Sequence, residues 1–136
     1  MVIKLFWSIK TLNMQKIGLT LLHIQKLDKE IEDLLKDKLP IHVKFKLHTL
    51  QKKLHSSVEI ATKIEKELFE KYGYKDNGSY KIKMDSENYT IFSKEMEELM
   101  KEVVEIDYEP FNLSLIENVE TNAALNIFFK LVNQEN

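Results

Sequence analysis

Histidine and carboxylate side chains are the groups from which chemistry would begin in this chain. The four histidines are His23, His42, His48 and His55. His48 and His55 are seven positions apart. On one helix they share a face but stand roughly 10 Å apart along the axis, too far to ligate one zinc ion together. His55 and Glu59 have the closer i, i+4 spacing, yet one pair falls short of the three or four ligands that zinc takes. Glu95, Glu97, Glu98, Glu102 and Glu105 are dense enough to suggest acid–base work or a divalent cation. Most of them fall opposite the apolar stripe Phe92, Met96, Leu99 and Val103, so a solvated helix face accounts for them. No Glu-x-x-His pair of the kind that builds a di-iron bundle is present. Serines at 8, 56, 57, 79, 86, 93 and 114 occupy no nucleophile-elbow pattern. Cysteine is absent, which removes thiolate nucleophiles, thiolate metal sites and disulfides together. The expectation is a protein without catalytic, metal-binding or cofactor-binding residues, and not an enzyme.

Phosphate recognition fares little better. The stretch EKYGYKDNGSYKI, residues 70–82, contains two of the three glycines, but Gly73 and Gly78 are not closely spaced and do not open a helix. All 20 basic residues are lysine. Without arginine there is no guanidinium fork for bidentate contact to a phosphate or a guanine edge. Lys38, Lys44, Lys46, Lys52 and Lys53, within residues 36–55, remain candidate nucleic-acid contacts. Phe45 is the only aromatic ring among them, whereas single-strand binders interleave several, and the chain's pI near 6.1 points the same way. The net charge of −2 conceals +6 over residues 1–55 and −7 over residues 81–136. Folding the two ends together would neutralise them.

The elements that must position these groups follow from periodicity. Ile24, Leu27, Ile31, Leu34 and Leu35 predict a helix over residues 22–38, with Asp28, Lys29, Glu30, Glu32 and Asp33 on its solvated side. The joint KDKLPI is a tight corner, and Pro40 suits the first turn of the next helix. That helix spans 41–72, with Leu47, Leu50, Leu54, Ala61, Ile64 and Leu68 on one stripe. Gly73 is expected to end it in a left-handed conformation, and KDNGSYKI to form a tight β-hairpin from Tyr74 to Ile82. A third helix covers 86–103, capped by Asp85 or Ser86 with Glu87 at its positive end. Two alternating segments, 16–22 and 104–113, predict a small antiparallel sheet, with Pro110 at the end of the second. A last helix begins near Thr121, burying Ala124, Leu125, Phe128 and Val132. The fold class is therefore α+β and predominantly helical. It comprises a long antiparallel helical hairpin (41–72 and 86–103), an N-terminal helix, a C-terminal helix and the small sheet.

Residues 14–136 read as one domain, which is the ordinary size for a single core, and residues 1–13 as an N-terminal extension. Lys10 interrupts the apolar run of that extension and no small-residue cleavage site follows, so no signal peptide is expected. No apolar run approaches the roughly 20 residues that span a bilayer.

In succession, KIGLTLLHIQKL, DKLPIHVKFKLHTLQKKL, EKYGYKDNGSYKI and EELMKEVVEIDYEPFNLSLIE resemble a group of small bacteriophage proteins of unknown function, the DUF1617-like proteins. The resemblance covers about residues 14–120 and rests on the LP joint, KYG followed by KDNG, and EIDYEPFNLS. It implies a phage or prophage origin and carries no catalytic residue. Combined with the surplus apolar side chains Phe6, Trp7, Phe111, Phe128 and Phe129 as candidate partner contacts, it leads to one expectation. This is a small non-enzymatic phage protein, in the host cytoplasm or the virion, that contacts itself, a phage protein or a host protein, as a homo-oligomer or a hetero-complex. Phe6 and Trp7 would pack on the core or on another subunit. The alternative is nucleic-acid binding through residues 36–55.

Overall fold

The computed structural model describes residues 14–112, Ser114 and residues 125–133. Phe6, Trp7 and the first four residues of the expected C-terminal helix lie outside these. Strand β1 (Gln15–Thr20) runs directly into helix α1 (Leu21–Leu34). Thr20 makes the switch because its hydroxyl accepts the His23 amide at 3.2 Å, satisfying one donor that the first helical turn leaves free. Leu21, Ile24, Leu27, Ile31 and Leu34 are buried, the three-four spacing that periodicity predicts. The helix ends four residues before the expected Lys38, in tight turns from Lys36 to Asp33 and from Asp37 to Leu34.

Helix α2 (Ile41–Tyr72) follows Pro40, whose carbonyl accepts the amides of Val43 and Lys44. Val43, Leu47, Leu50, Leu54 and Ala61 are buried, and the first half of this face packs on α1. The second half meets helix α3 (Glu87–Met100), which Ser86 caps by accepting the Tyr89 amide at 3.2 Å. Phe69 and Phe92 stack at 4.6 Å, and the Tyr72 hydroxyl donates to Glu95 at 2.9 Å. Between these helices, β2 (Tyr74–Asp76) pairs with β3 (Ser79–Lys81) across Asn77 and Gly78. Both turn residues have positive φ, 52° and 84°, which a two-residue reversal of this hand demands.

Gly73 differs from expectation. Its φ of −100° is ordinary extended backbone rather than left-handed. Glycine is required there for space, since a Cβ would lie 2.6 Å from both the Phe69 and Lys81 carbonyl oxygens. Val103, expected on the α3 stripe, instead opens strand β4 (Val103–Tyr108) and is exposed.

Strands β1 and β4 are antiparallel, with Ile17 opposite Ile106 and Lys16 opposite Asp107. The pairing joins the basic and acidic ends of the chain, as their charges suggest. Val104, Ile106 and Tyr108 face inward, while Glu105 and Asp107 face solvent. After Pro110, β5 (Phe111–Asn112) pairs in parallel with β6 (Val132–Asn133). The described part of the expected C-terminal helix is a short 3-10 turn, Phe128–Leu131, that leads into β6. Leu125, Ile127, Phe128, Leu131 and Val132 are all buried. Asn126, Phe129 and Lys130 are exposed, and the pairing of Val132 with Phe111 takes the end of the segment as a strand. No helix among the described residues is long and apolar enough to cross a membrane.

Two polar side chains among the described residues are buried, Glu30 and Gln51, and Gln51 donates to Glu32 at 2.7 Å. Glu30, which the sequence pattern places on the solvated side of α1, is only 8% exposed. Its carboxylate accepts the Ile127 amide at 3.0 Å and the Phe128 amide at 3.2 Å. These amides open the 3-10 turn and have no helical acceptor of their own, so the carboxylate caps that turn from a distance of 97 residues in sequence. A buried donor left without its acceptor costs about 1–3 kcal/mol. Glu30→Ala should therefore destabilise the protein by about 3 kcal/mol in urea denaturation, and Glu30→Gln, which keeps an acceptor oxygen, by clearly less. Equal stability of all three chains would show that the cap contributes nothing.

Candidate functional site

An open groove of about 1090 Å³ runs between the first three turns of α2 and the end of the β1–β4 ribbon. Its apolar surface comes from Met14, Ile41, Phe45, Leu50, Tyr108 and Phe111. Ile41 and Phe45 are one turn apart on α2 and are 85% and 70% exposed. Two large apolar side chains adjacent and open to water at i, i+4 form a patch rather than a scatter of single residues. They occupy the side of α2 opposite its buried stripe, so core packing does not explain them.

The polar surface divides into two walls. His42, Lys46, Thr49 and Lys53 stand on α2, and Lys16 of β1 stands with Asp107 and Glu109 on the ribbon side. Lys46 bridges the walls: its Nζ donates to the Pro110 carbonyl at 2.7 Å and sits 4.3 Å from the centre of the Phe111 ring. Lys53 donates to the Asp107 carbonyl at 2.8 Å. These bonds fix the two ammonium groups along the groove. Phe111 in turn stacks on Phe128 at 4.9 Å, and Phe128 is the residue whose amide Glu30 holds. A continuous set of contacts thus leads from the buried carboxylate to the groove wall.

The residues that sequence reasoning singled out separate in space. Phe111 and Phe128 are core residues, 3% and 2% exposed, and their rings pack on each other. Phe129, their neighbour in sequence, points outward at 45% exposure. Phe6 and Trp7 lie outside the described residues. Of the five lysines, Lys46 and Lys53 line the groove, seven residues apart on one face of α2. Lys44 and Lys52 project from other faces of the helix and Lys38 lies in the turn before it, so the five form no single strip.

Among the histidines, His42 joins the groove. His55 pairs with Asp28 of α1 at 2.9 Å rather than with Glu59. That pair is half exposed, and exposed pairs contribute about 0–1 kcal/mol. Among the described residues no three of His, Asp and Glu converge as a metal site would require. Sequence reasoning missed Ile41, Met14 and Tyr108, and took Phe45 only as a stacking ring. The available signal was that Ile41 and Phe45 fall off the Leu47, Leu50, Leu54 stripe.

Compared with known proteins, the chain matches no family model, no curated protein and no solved structure.

Lys46 holds the β4–β5 link against α2, so removing its ammonium should loosen the groove wall. Lys46→Met keeps an apolar stem and should cost about 1–2 kcal/mol in urea denaturation, the size of one hydrogen bond plus a cation–π contact. Lys52→Met, on another face, should stay within about 0.5 kcal/mol of the unmodified chain.

Proposed function

We propose that this is a small non-enzymatic bacteriophage protein that acts by binding another protein, in virion assembly or on a host target, and that the groove receives the partner. The exposed pair Ile41 and Phe45 beside a wall of His42, Lys46 and Lys53 carries the reading. Its occupant is a segment of the partner chain that lays apolar side chains on Ile41 and Phe45 and turns carboxylates toward the α2 wall. Apolar burial supplies affinity in such an interface, and the charged wall fixes orientation and speeds encounter. The phage origin is supported by the resemblance of residues 14–120, and the setting that goes with this reading is the host cytoplasm or the virion. Nucleic-acid binding is less well supported, because Lys38, Lys44 and Lys52 lie away from the groove that holds Lys46 and Lys53.

A displayed library of random short peptides, panned against the full chain, tests this. The expected result is enrichment of peptides that combine Leu, Phe or Trp with Asp or Glu. Binding of those peptides should fall at least tenfold on Phe45→Lys, a loss of about 1.4 kcal/mol or more, and weaken with added salt. No enriched class, or binding indifferent to Phe45→Lys, would overturn the proposal. So would self-association abolished by Phe45→Lys, which assigns the groove to a second copy, or a single-stranded oligonucleotide shift that needs Lys46 and Lys53.

A further inference from the structure

The β1–β4 ribbon has two outer edges, and they differ. The Leu21 amide donates to the Glu102 carbonyl at 3.0 Å, which extends the register of the two strands by one position. Backbone groups alternate along an antiparallel ladder, so Gln15, Ile17 and Leu19 turn their N–H and C=O groups toward β4, while Lys16, Gly18 and Thr20 turn theirs away from it. By the same count the Asp107 carbonyl points off the far edge of β4, where Lys53 donates to it. Lys46 takes the Pro110 carbonyl just beyond. Lysine side chains close that edge, one of the ways a strand is kept from pairing with another chain. Among the described residues nothing closes the edge of β1: its strand neighbour there is β4 alone, it contains no proline, and Lys16 and Gly18 are exposed.

We infer that the outer edge of β1 pairs antiparallel with β1 of a second copy, about a two-fold axis at Gly18, so that two ribbons join into one four-stranded sheet. This edge lies across the ribbon from the lysines of α2, and the inference does not depend on the groove.

The strand complements itself in this register. Each Gly18 amide donates to the Gly18 carbonyl of the other copy, and each Thr20 amide to the Lys16 carbonyl of the other. The Thr20 carbonyl stays with the first turn of α1, as that of an N-cap residue does. On the inner face Ile17, which is half-buried in one copy, meets Leu19 of the other. On the outer face Lys16 lies opposite Thr20 rather than another Lys16, and it keeps Asp107 as its cross-strand neighbour within its own copy. Glu105 stands beside Gly18, so the two Glu105 side chains are three strand spacings apart, about 14 Å. That exceeds the screening length of about 10 Å at 0.1 M salt. The contact is therefore isologous, with no like charges facing each other.

Gly18 itself supports the pairing. A glycine inside a strand marks a place where another backbone approaches closely. Packing within one copy does not demand it: a Cβ would meet Cγ1 of Val103 at 3.2 Å, the end of a 64% exposed side chain that can move aside.

A pairing of this length makes a small interface and a weak one, so the test is amide hydrogen exchange on the unmodified chain at about 20 μM and about 1 mM, a range in which small interfaces form and separate. Exchange at Gly18 and Thr20 should slow several-fold at the higher concentration, while Ile17 and Leu19, already bonded to β4, should not change. Sedimentation should show the mass moving from one copy toward two. Gly18→Pro removes the outward amide without breaking a bond to β4 and should abolish both effects. Gly18→Ala adds the same Cβ but keeps the amide, and should retain them, as should Phe45→Lys in the groove. A single-copy mass at about 1 mM, with Gly18 and Thr20 exchanging as fast as at about 20 μM, would overturn the inference whether or not the proline variant folds. Self-association that survives in a folded Gly18→Pro chain, or that is lost on Phe45→Lys, would overturn it too.

Discussion

The structure turns on burying one carboxylate. Glu30 sits on the most deeply buried helix, between Leu27 and Ile31, and accepts two backbone amides from a segment almost a hundred residues later. A charge in such a place is costly unless it is hydrogen-bonded, and amides at the start of a turn are costly unless they are accepted. Each solves the other's problem. The consequence spreads outward: Phe128 is fixed, Phe111 stacks on it, and Lys46 reaches over Phe111 to the Pro110 carbonyl. The link between β4 and β5 is thereby held at a set distance from α2, and that distance is the groove.

The two halves of α2 serve different purposes. From Val43 to Ala61 its buried stripe ties α1 beneath it, and its last turns meet α3 through the Phe69 and Phe92 rings. Its first three turns carry a second, outward-facing apolar pair that no described element covers. Leaving Ile41 and Phe45 in water stabilises nothing, because apolar surface gains free energy only when it is removed from solvent. On the proposed reading their cover arrives with the partner.

Much of the fold was legible in the sequence because it is local. The stripe from Ile24 to Leu34, the stripe from Leu47 to Ala61, the Ser86 cap and the Asn77–Gly78 reversal each announce themselves within a few residues, and the alternation of Val104, Ile106 and Tyr108 marks a half-buried strand. What escaped depends on partners distant in the chain. Glu30 lies at i+3 from Leu27 and i−4 from Leu34, so its spacing hinted at the buried face, but its residue type pointed to solvent and its amide partners lie on another segment. Gly73 looked like a left-handed cap because nothing in the sequence shows that the Phe69 and Lys81 carbonyls crowd its Cβ position. The groove was hidden for the same reason: Met14, Phe45 and Tyr108 become neighbours only once β1 pairs with β4. A short apolar-rich segment, as at 125–132, does not distinguish a helix from a turn and strand.

The dependence of the groove wall on Glu30 is tested most directly by amide hydrogen exchange on Glu30→Ala beside the unmodified chain. Exchange should quicken together at Ile127 and Phe128, at Phe111 and Asn112, and at the end of β4, while the amides of α1 and the middle of α2 keep their protection. Faster exchange confined to Ile127 and Phe128, with Phe111 and its neighbours as protected as before, would show that the wall stands without the carboxylate and would contradict the account.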